Sequence, residues 1–310
     1  MGALAEVEAA VAEITSSIGP AVVGIGGGWA QGCGVVVGDG LVLTNAHNVR
    51  GDEVQVSFGA DKVVSGHLAG VDVDGDLAVV SVDTAGVEPI GWPDTANAIS
   101  IRPGRVVFAL ANPGGRGLRV TAGLISSVGR SFRGPRGRRV TGSVEHTAPM
   151  GRGSSGGPIV DATGTFVGLN TNRMGEGFYL AIPADAEFRM RVDALAHGDN
   201  PTRRHLGVGL IPGRAARRLR RSVGLPDREG VLVQVVEDDS PAARAGLRRG
   251  DLIVEATGRA ITSIDDLYQA VDALGDGDSM ALGVVRGNEE LAVSVTFGAT
   301  GEEGSASVTG

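Results

Sequence analysis

The residues with the most chemistry in them lie in one short turn, Gly153-Ser154-Ser155-Gly156-Gly157-Pro158. A serine hydroxyl becomes a nucleophile when a tight turn exposes it and leaves backbone N–H groups free to receive the developing oxyanion. Flanking glycines permit both. Two arrangements of this kind differ in chain order. A strand-to-helix elbow of the G-x-S-x-G type takes its acid and its histidine from downstream, within alternating β and α units. The other takes histidine first, then the acid, then the serine. Downstream of this turn stand His197 and His205, both beside a break in the chain, and no alternating βα pattern is present. Upstream, Leu43-Thr44-Asn45-Ala46-His47-Asn48-Val49 follows an apolar run. An acidic stretch with Asp72, Asp74 and Asp76 then leads into Leu77-Ala78-Val79-Val80. The order is therefore His, Asp, Ser, with His47 as the base. Order alone does not decide which aspartate or which of the two serines serves.

Such residues need strands to hold them. From Ala21 to about Phe166 the chain shows short apolar runs broken by Gly and Asp, which indicates a sandwich or barrel. Residues 5–18 read as a helix stopped at Gly19-Pro20, and Ala184 to Ala196 is helix-like before His197-Gly198-Asp199-Asn200-Pro201 breaks it. Five arginines between Arg130 and Arg139 read as a solvated loop. A second unit, from about Arg203 to Phe297, mixes strands with a helix over 264–274, capped by Ser263. The tail 298–310 is small and polar and reads as disordered.

The composition bounds the class. With 42% hydrophobic and 21% charged residues, 310 positions suffice for two buried cores. The 51 glycines show no collagen-like period, and with 4% aromatics they suggest a β scaffold rich in tight turns. A net charge of −8 argues against nucleic acid as a partner. A lone cysteine, Cys33, excludes an intrachain disulfide, and packing is its expected role. No stretch approaches the roughly 18 apolar residues of a membrane helix. Glu6, Glu8 and Glu13 stand where an export signal carries positive charge. As written the chain reads as cytoplasmic, or as one from which a leader or anchor was removed. His67, His146, His197 and His205 lack partners at ligand spacing, so neither metal nor cofactor is expected.

Taken together the motifs resemble the high-temperature-requirement (HtrA, or Deg) family of serine proteases, a trypsin-like domain followed by a PDZ domain. The resemblance spans about residues 7–297. It rests on Thr44-Asn45-Ala46-His47 (with Asn48 inserted before Val49), Asp76-Leu77-Ala78-Val79 and Ala109-Leu110-Ala111-Asn112-Pro113-Gly114-Gly115. Thr121-Ala122-Gly123-Leu124-Ile125-Ser126 and Gly177-Phe178-Tyr179-Leu180-Ala181-Ile182-Pro183 match as well, as does the serine turn. Two departures stand out: Ser154 replaces the family's usual Asn before the nucleophile, and His146-Thr147-Ala148-Pro149-Met150 replaces its acidic-then-Ala segment. The resemblance implies a mainly β chain: a chymotrypsin-like double β-barrel protease domain (1–190), a linker (191–203) and an α+β PDZ domain (204–297). It assigns the triad His47, Asp76 and Ser155, and an oxyanion hole from Gly153, Ser154 and Ser155. Six residues before the nucleophile, Pro149 replaces the acid of a trypsin-like pocket. Met150, Leu169, Asn170 and Thr171 are then expected to wall an apolar pocket.

In the second unit Leu206-Gly207-Val208-Gly209 is similar to the PDZ carboxylate loop, with Leu267 and Val271 of the helix expected on the groove's other side. The implied activity is endoproteolysis of unfolded or damaged protein, with the PDZ domain binding apolar C-termini or substrate segments. A homotrimer is implied as well. The family is usually periplasmic, extracellular or membrane-anchored. The alternative is an inactive protease-like chaperone or adaptor that acts through its PDZ domain.

Overall fold

The computed structural model describes residues 2–26, 32–59, 62–84, 86–93, 101–175, 177–201, 203–275 and 277–297; the expected tail 298–310 lies outside them. Two compact units meet in sequence at Asn200 and Pro201.

The first unit opens with helix α1 (Ala3–Ser17), which sends Ile14 into the core. Two closed six-stranded barrels follow. The first contains β1 (Val22–Ile25), β2 (Gly32–Gly38), β3 (Leu41–Thr44), β4 (Glu53–Gly59), β5 (Lys62–Asp72) and β6 (Leu77–Ser81), in spatial order β1-β2-β3-β6-β5-β4. The second contains β7 (Val106–Ala111), β8 (Arg119–Arg133), β9 (Arg139–His146), β10 (Pro158–Val160), β11 (Phe166–Arg173) and β12 (Tyr179–Pro183), in order β10-β11-β12-β9-β8-β7. Strands β2, β6, β7 and β11 are buried along nearly their whole length. This is why their sequences run apolar continuously instead of alternating. One apolar cluster joins both barrels, with Leu43, Leu77, Phe108 and Phe166 fully buried in it.

Helix α2 (Ala186–Ala196) starts where the Asp185 carboxylate accepts from the Phe188 N–H at 2.8 Å. It covers the core with Phe188, Val192 and Leu195. The expected linker 191–203 is therefore corrected: its first six residues finish this helix, because Val192 and Leu195 are core residues of the first unit. The arginine-rich segment 130–139 is not a loop throughout either. Arg130 to Arg133 and Arg139 are strand residues, with Arg133 opposite Arg139, while Arg130 pairs with Glu145 at 3.2 Å.

The second unit is an open sheet of β13 (Val208–Ile211), β14 (Val231–Val236), β15 (Leu252–Ala256), β17 (Ser279–Arg286) and β18 (Glu289–Thr296) in that spatial order; β16 (Arg259–Ala260) pairs with β15. Helices α3 (Gly213–Ser222), α4 (Pro241–Arg244) and α5 (Ile264–Asp272) accompany it. The N-terminus of α5 is fastened by a reciprocal capping box between Ser263 and Asp266. Helix α3 carries five arginines in ten residues; they gather on one side, while the other side offers only Ala215, Ala216 and Leu219, so the helix has a face but little apolar bulk to announce it.

Candidate active site

His47 sits in a single 3₁₀ turn, Ala46–Asn48, at the end of β3, and its side chain is about one-third exposed. Asp76 lies in the turn before β6 with φ +57°, a left-handed conformation that a non-glycine residue rarely holds. The surroundings fix it there: Asn45 Nδ2 donates to its backbone carbonyl at 3.0 Å. Its buried carboxylate takes His47 Nδ1 at 2.9 and 3.0 Å, the His47 backbone N–H at 3.2 Å and the Thr171 hydroxyl at 2.6 Å. Strain held by so many donors is a feature of functional sites. Asp72 accepts from the Gly75 N–H and pairs with Arg191, both at 2.8 Å, and Asp74 is buried; both carboxylate contacts of His47 go to Asp76.

Ser155 comes from the turn before β10, and its hydroxyl donates to the Thr171 carbonyl at 2.7 Å. Thr171 on β11 thus touches Asp76 through its side chain and Ser155 through its backbone, and so ties the serine of the second barrel to the acid of the first. Ser154 is buried, and its carbonyl accepts from the Gly157 N–H at 3.1 Å. Among the described residues, neither the Gly153 N–H nor the Ser155 N–H donates to another protein group. Gly156, at φ +88°, cannot be replaced: a Cβ there would lie 2.0 Å from the Cys33 carbonyl oxygen.

A cleft beside Ser155 is bordered by Met150, Gly153, Asn170, Thr171, Tyr179 and Leu180, with Arg152, Asn172 and Arg173 at its polar side. Leu169, expected as a wall, is instead fully buried in the barrel core, since strand alternation turns its side chain away from Asn170. Pro149 is exposed and holds the Thr121 hydroxyl on its carbonyl at 2.8 Å. His146 supports the cleft from behind. Asn170 donates its amide N–H to the Gly157 carbonyl, so its Oδ1 faces His146 Nε2 at 2.8 Å; Nδ1 is buried without a partner. Burial pushes this imidazole down to about 4, so it is neutral near pH 7.

In the second unit Gly207 has φ +79°, and a Cβ on it would lie 2.1 Å from that of Ser240. The Leu206 carbonyl accepts from the Ala242 N–H and the Gly207 carbonyl from the Glu237 N–H, both at 2.9 Å. The side chains of Leu206 and Val208 are buried. Strand β13 is the edge of the sheet. Leu267 and Val271 do not border a groove: both are fully buried in the domain core, where their i, i+4 spacing places them on the sheet-facing side of α5.

Five contributions are not legible in the sequence: Asn45, the double role of Thr171, His146 as a support, and the Asn48 and Cys33 contacts described below. The Asn45 and Thr171 side chains serve residues far along the chain, so no local spacing marks them.

A model of the trypsin-like peptidase domain matches residues 32–169, and a PDZ domain model matches residues 205–297. A Halomonas elongata protein named as a DegP-like periplasmic serine endoprotease is 32% identical over 274 residues, covering 86% of this chain and 56% of that protein. HhoA of Synechocystis sp., named as a serine protease, is 33% identical over 283 residues, covering 86% of this chain and 70% of HhoA. The chain thus spans little more than half the length of its DegP-like relatives. Among solved structures, a serine endoprotease from Yersinia pestis aligns with TM-score 0.57 at 26% identity over 93% of this chain and 97% of that one. The HtrA-type protease AlgW, solved with a decapeptide, aligns with TM-score 0.56 at 25% identity, covering 93% and 98%. With a trypsin-like peptidase domain followed by a PDZ domain, and a relative 33% identical that the chain covers over 70% of its length, the chain belongs to the HtrA/DegP family of trypsin-like, PDZ-containing serine proteases.

Proposed function

We propose that this chain is a serine endopeptidase of unfolded or damaged polypeptides, with His47, Asp76 and Ser155 as its catalytic triad. The observation that carries the reading is the ordered bond from His47 Nδ1 to the buried Asp76 carboxylate at 2.9 Å, with Thr171 joining that carboxylate to Ser155. With Nδ1 donating, Nε2 is the free base. The Ser155 hydroxyl turns from the Thr171 carbonyl to His47 Nε2, gives up its proton and attacks the scissile carbonyl. The N–H groups of Gly153 and Ser155 receive the oxyanion, and His47 then returns the proton to the leaving amine. Water repeats the sequence on the acyl-enzyme. Met150 and Tyr179 make the cleft suited to an apolar side chain of the substrate, with no acid among the described lining residues to bind Lys or Arg.

The PDZ unit receives an apolar C-terminus or substrate segment as an added strand on β13, with its carboxylate at the Leu206-Gly207-Val208 loop. The open edge and the engaged carbonyls of that loop support this. The AlgW structure, solved with a decapeptide, supports it by likeness. A homotrimer built through the N-terminal segment, acting in protein quality control, completes the proposal. Casein is the direct test. The chain should degrade it, and Ser155→Ala should lose at least about 10⁴-fold of that rate with its melting temperature retained. Equal rates for both proteins would leave the adaptor reading. Light scattering should give three times the 31.4 kDa of one chain; a constant monomer mass would remove the trimer.

A further inference from the structure

Three successive carbonyls of the serine turn are held, the first and third from outside the turn. The Gly153 carbonyl accepts from the Cys33 thiol at 3.1 Å, the Ser154 carbonyl from Gly157 N–H at 3.1 Å, and the Ser155 carbonyl from both Cys33 N–H at 2.8 Å and Asn48 Nδ2 at 2.9 Å. All the donors to Gly153 and Ser155 come from the first barrel, more than a hundred residues upstream.

The donors are themselves fixed. Asn48 Nδ2 also donates to Thr44 Oγ1 at 3.0 Å, and the Thr44 hydroxyl proton goes to the Cys33 carbonyl at 2.6 Å. A flipped Asn48 amide would set its oxygen against the Ser155 carbonyl, which can only accept, so the orientation is decided by its partners. Space is reserved for it: a Cβ on Gly32 would lie 2.3 Å from Asn48 Cγ, and one on Gly156 3.0 Å from Asn48 Nδ2. The Cys33 sulfur receives the Asn112 N–H at 3.1 Å, so its one proton is free to point at Gly153. Burial pushes this thiol up to about 12, so it keeps that proton near neutral pH.

We infer that Asn48 and Cys33 are positioning residues of the proposed protease reaction: their side chains pin the Gly153–Ser154 and Ser155–Gly156 peptide planes, which flank the Ser154–Ser155 peptide, and so preorganise the Ser155 N–H as an oxyanion donor. The inference rests on the proposed proteolytic reading. An oxyanion donor is effective because it needs no reorganisation as charge develops. A loosened turn therefore loses rate in the transition state and leaves substrate binding intact.

The test uses the full chain with an internally quenched peptide. Asn48→Val removes the amide and is expected to lower kcat about 10- to 30-fold, below the loss of about 10²–10³ for deleting an oxyanion donor outright, with KM unchanged within about twofold. Cys33→Ala is expected to lose about 3- to 10-fold. Cys33→Ser, whose hydroxyl can still donate, recovers most of that loss. Should Asn48→Val fail to fold, the isosteric Asn48→Asp is the second variant; it sets oxygen against the Ser155 carbonyl and should lose at least as much. Folded variants with native kcat, a change confined to KM, or equal loss in Cys33→Ala and Cys33→Ser would each overturn the inference. Amide hydrogen exchange over residues 154–157 provides a readout independent of turnover: it should quicken in Asn48→Val, and unchanged protection refutes the clamp. If the native chain cuts nothing, the proteolytic reading fails while this exchange result still decides the clamp.

Discussion

The two units are built from the same material, short antiparallel strands with glycine turns, yet they end their sheets differently. The first unit closes both sheets into barrels, so no strand edge among those described is left over. The second leaves β13 unpaired on one side. Closure spends every ladder hydrogen bond internally, so chemistry can be done only by side chains and N–H groups in the connecting turns, where His47, Asp76 and Ser155 stand. An open edge keeps backbone donors and acceptors for a guest, and recognition can then use main-chain atoms with little help from particular side chains.

Four outcomes would sharpen or break that contrast. The largest concerns the turns of the closed unit. Asp76→Asn leaves the shape but takes away the acceptor that fixes the His47 tautomer, and kcat for peptide cleavage should fall about 10³–10⁴-fold. PDZ-peptide affinity, read by fluorescence anisotropy, should not move. A loss under tenfold would mean that His47 is held by something else. The second concerns packing under the open sheet. Leu267 is fully buried, so Leu267→Ala should destabilise the second unit by about 2–5 kcal/mol in urea titration. Labelling of Ser155 by a fluorophosphonate should persist; labelling lost in step with the melt would join what the comparison separates.

The third is a pH effect stored in the closed unit. The folded protein refuses the His146 proton until about pH 4, whereas the unfolded chain accepts it near 6.5. This contribution to stability is therefore complete above pH 6.5 and is lost as pH falls towards 4, by about 3 kcal/mol in all. His146→Phe, which can still stack on Tyr179, should flatten that part of the curve measured by denaturant titration. An equally steep decline in the variant would place the titration elsewhere. The smallest effect is local to α5. Ser263→Ala removes the hydroxyl that accepts the Asp266 N–H at 3.1 Å and should cost about 1 kcal/mol. Circular dichroism melts would show it, and a change several times larger would mean that the cap also serves the sheet.

The contrast between closed and open sheets also separates what could be read early from what could not. Apolar runs such as Leu77 to Val80 declare buried strands because a strand covered on both faces must be apolar at every position. The serine turn declares itself by its glycines. Helix α3 is less legible because its apolar stripe is only Ala215, Ala216 and Leu219, small for a segment with five arginines. The i, i+4 spacing of Leu267 and Val271 marks a face of α5 without saying that this face meets the domain core. The end of the first unit is legible at the breaking signal 197–201, whereas the burial of Val192 and Leu195, which keeps residues 191–196 in α2, is not.

From sequence alone came the mainly β class and the order His, Asp, Ser, because turns, periodicity and motif order are local properties; the PDZ-like second unit came from the resemblance to a known family. Tertiary structure decided which atoms meet. Asp76 reaches His47 across 29 positions because its turn adopts a positive φ that only the assembled Asn45 and Thr171 bonds sustain. Asn48 reaches the Ser155 carbonyl across 107 positions, and the Cys33 thiol reaches Gly153 across 120. Separations of that length carry no spacing rule. They are set when the barrels close and bring the turns of one against the turns of the other, and only then does a polar side chain find the carbonyl it holds.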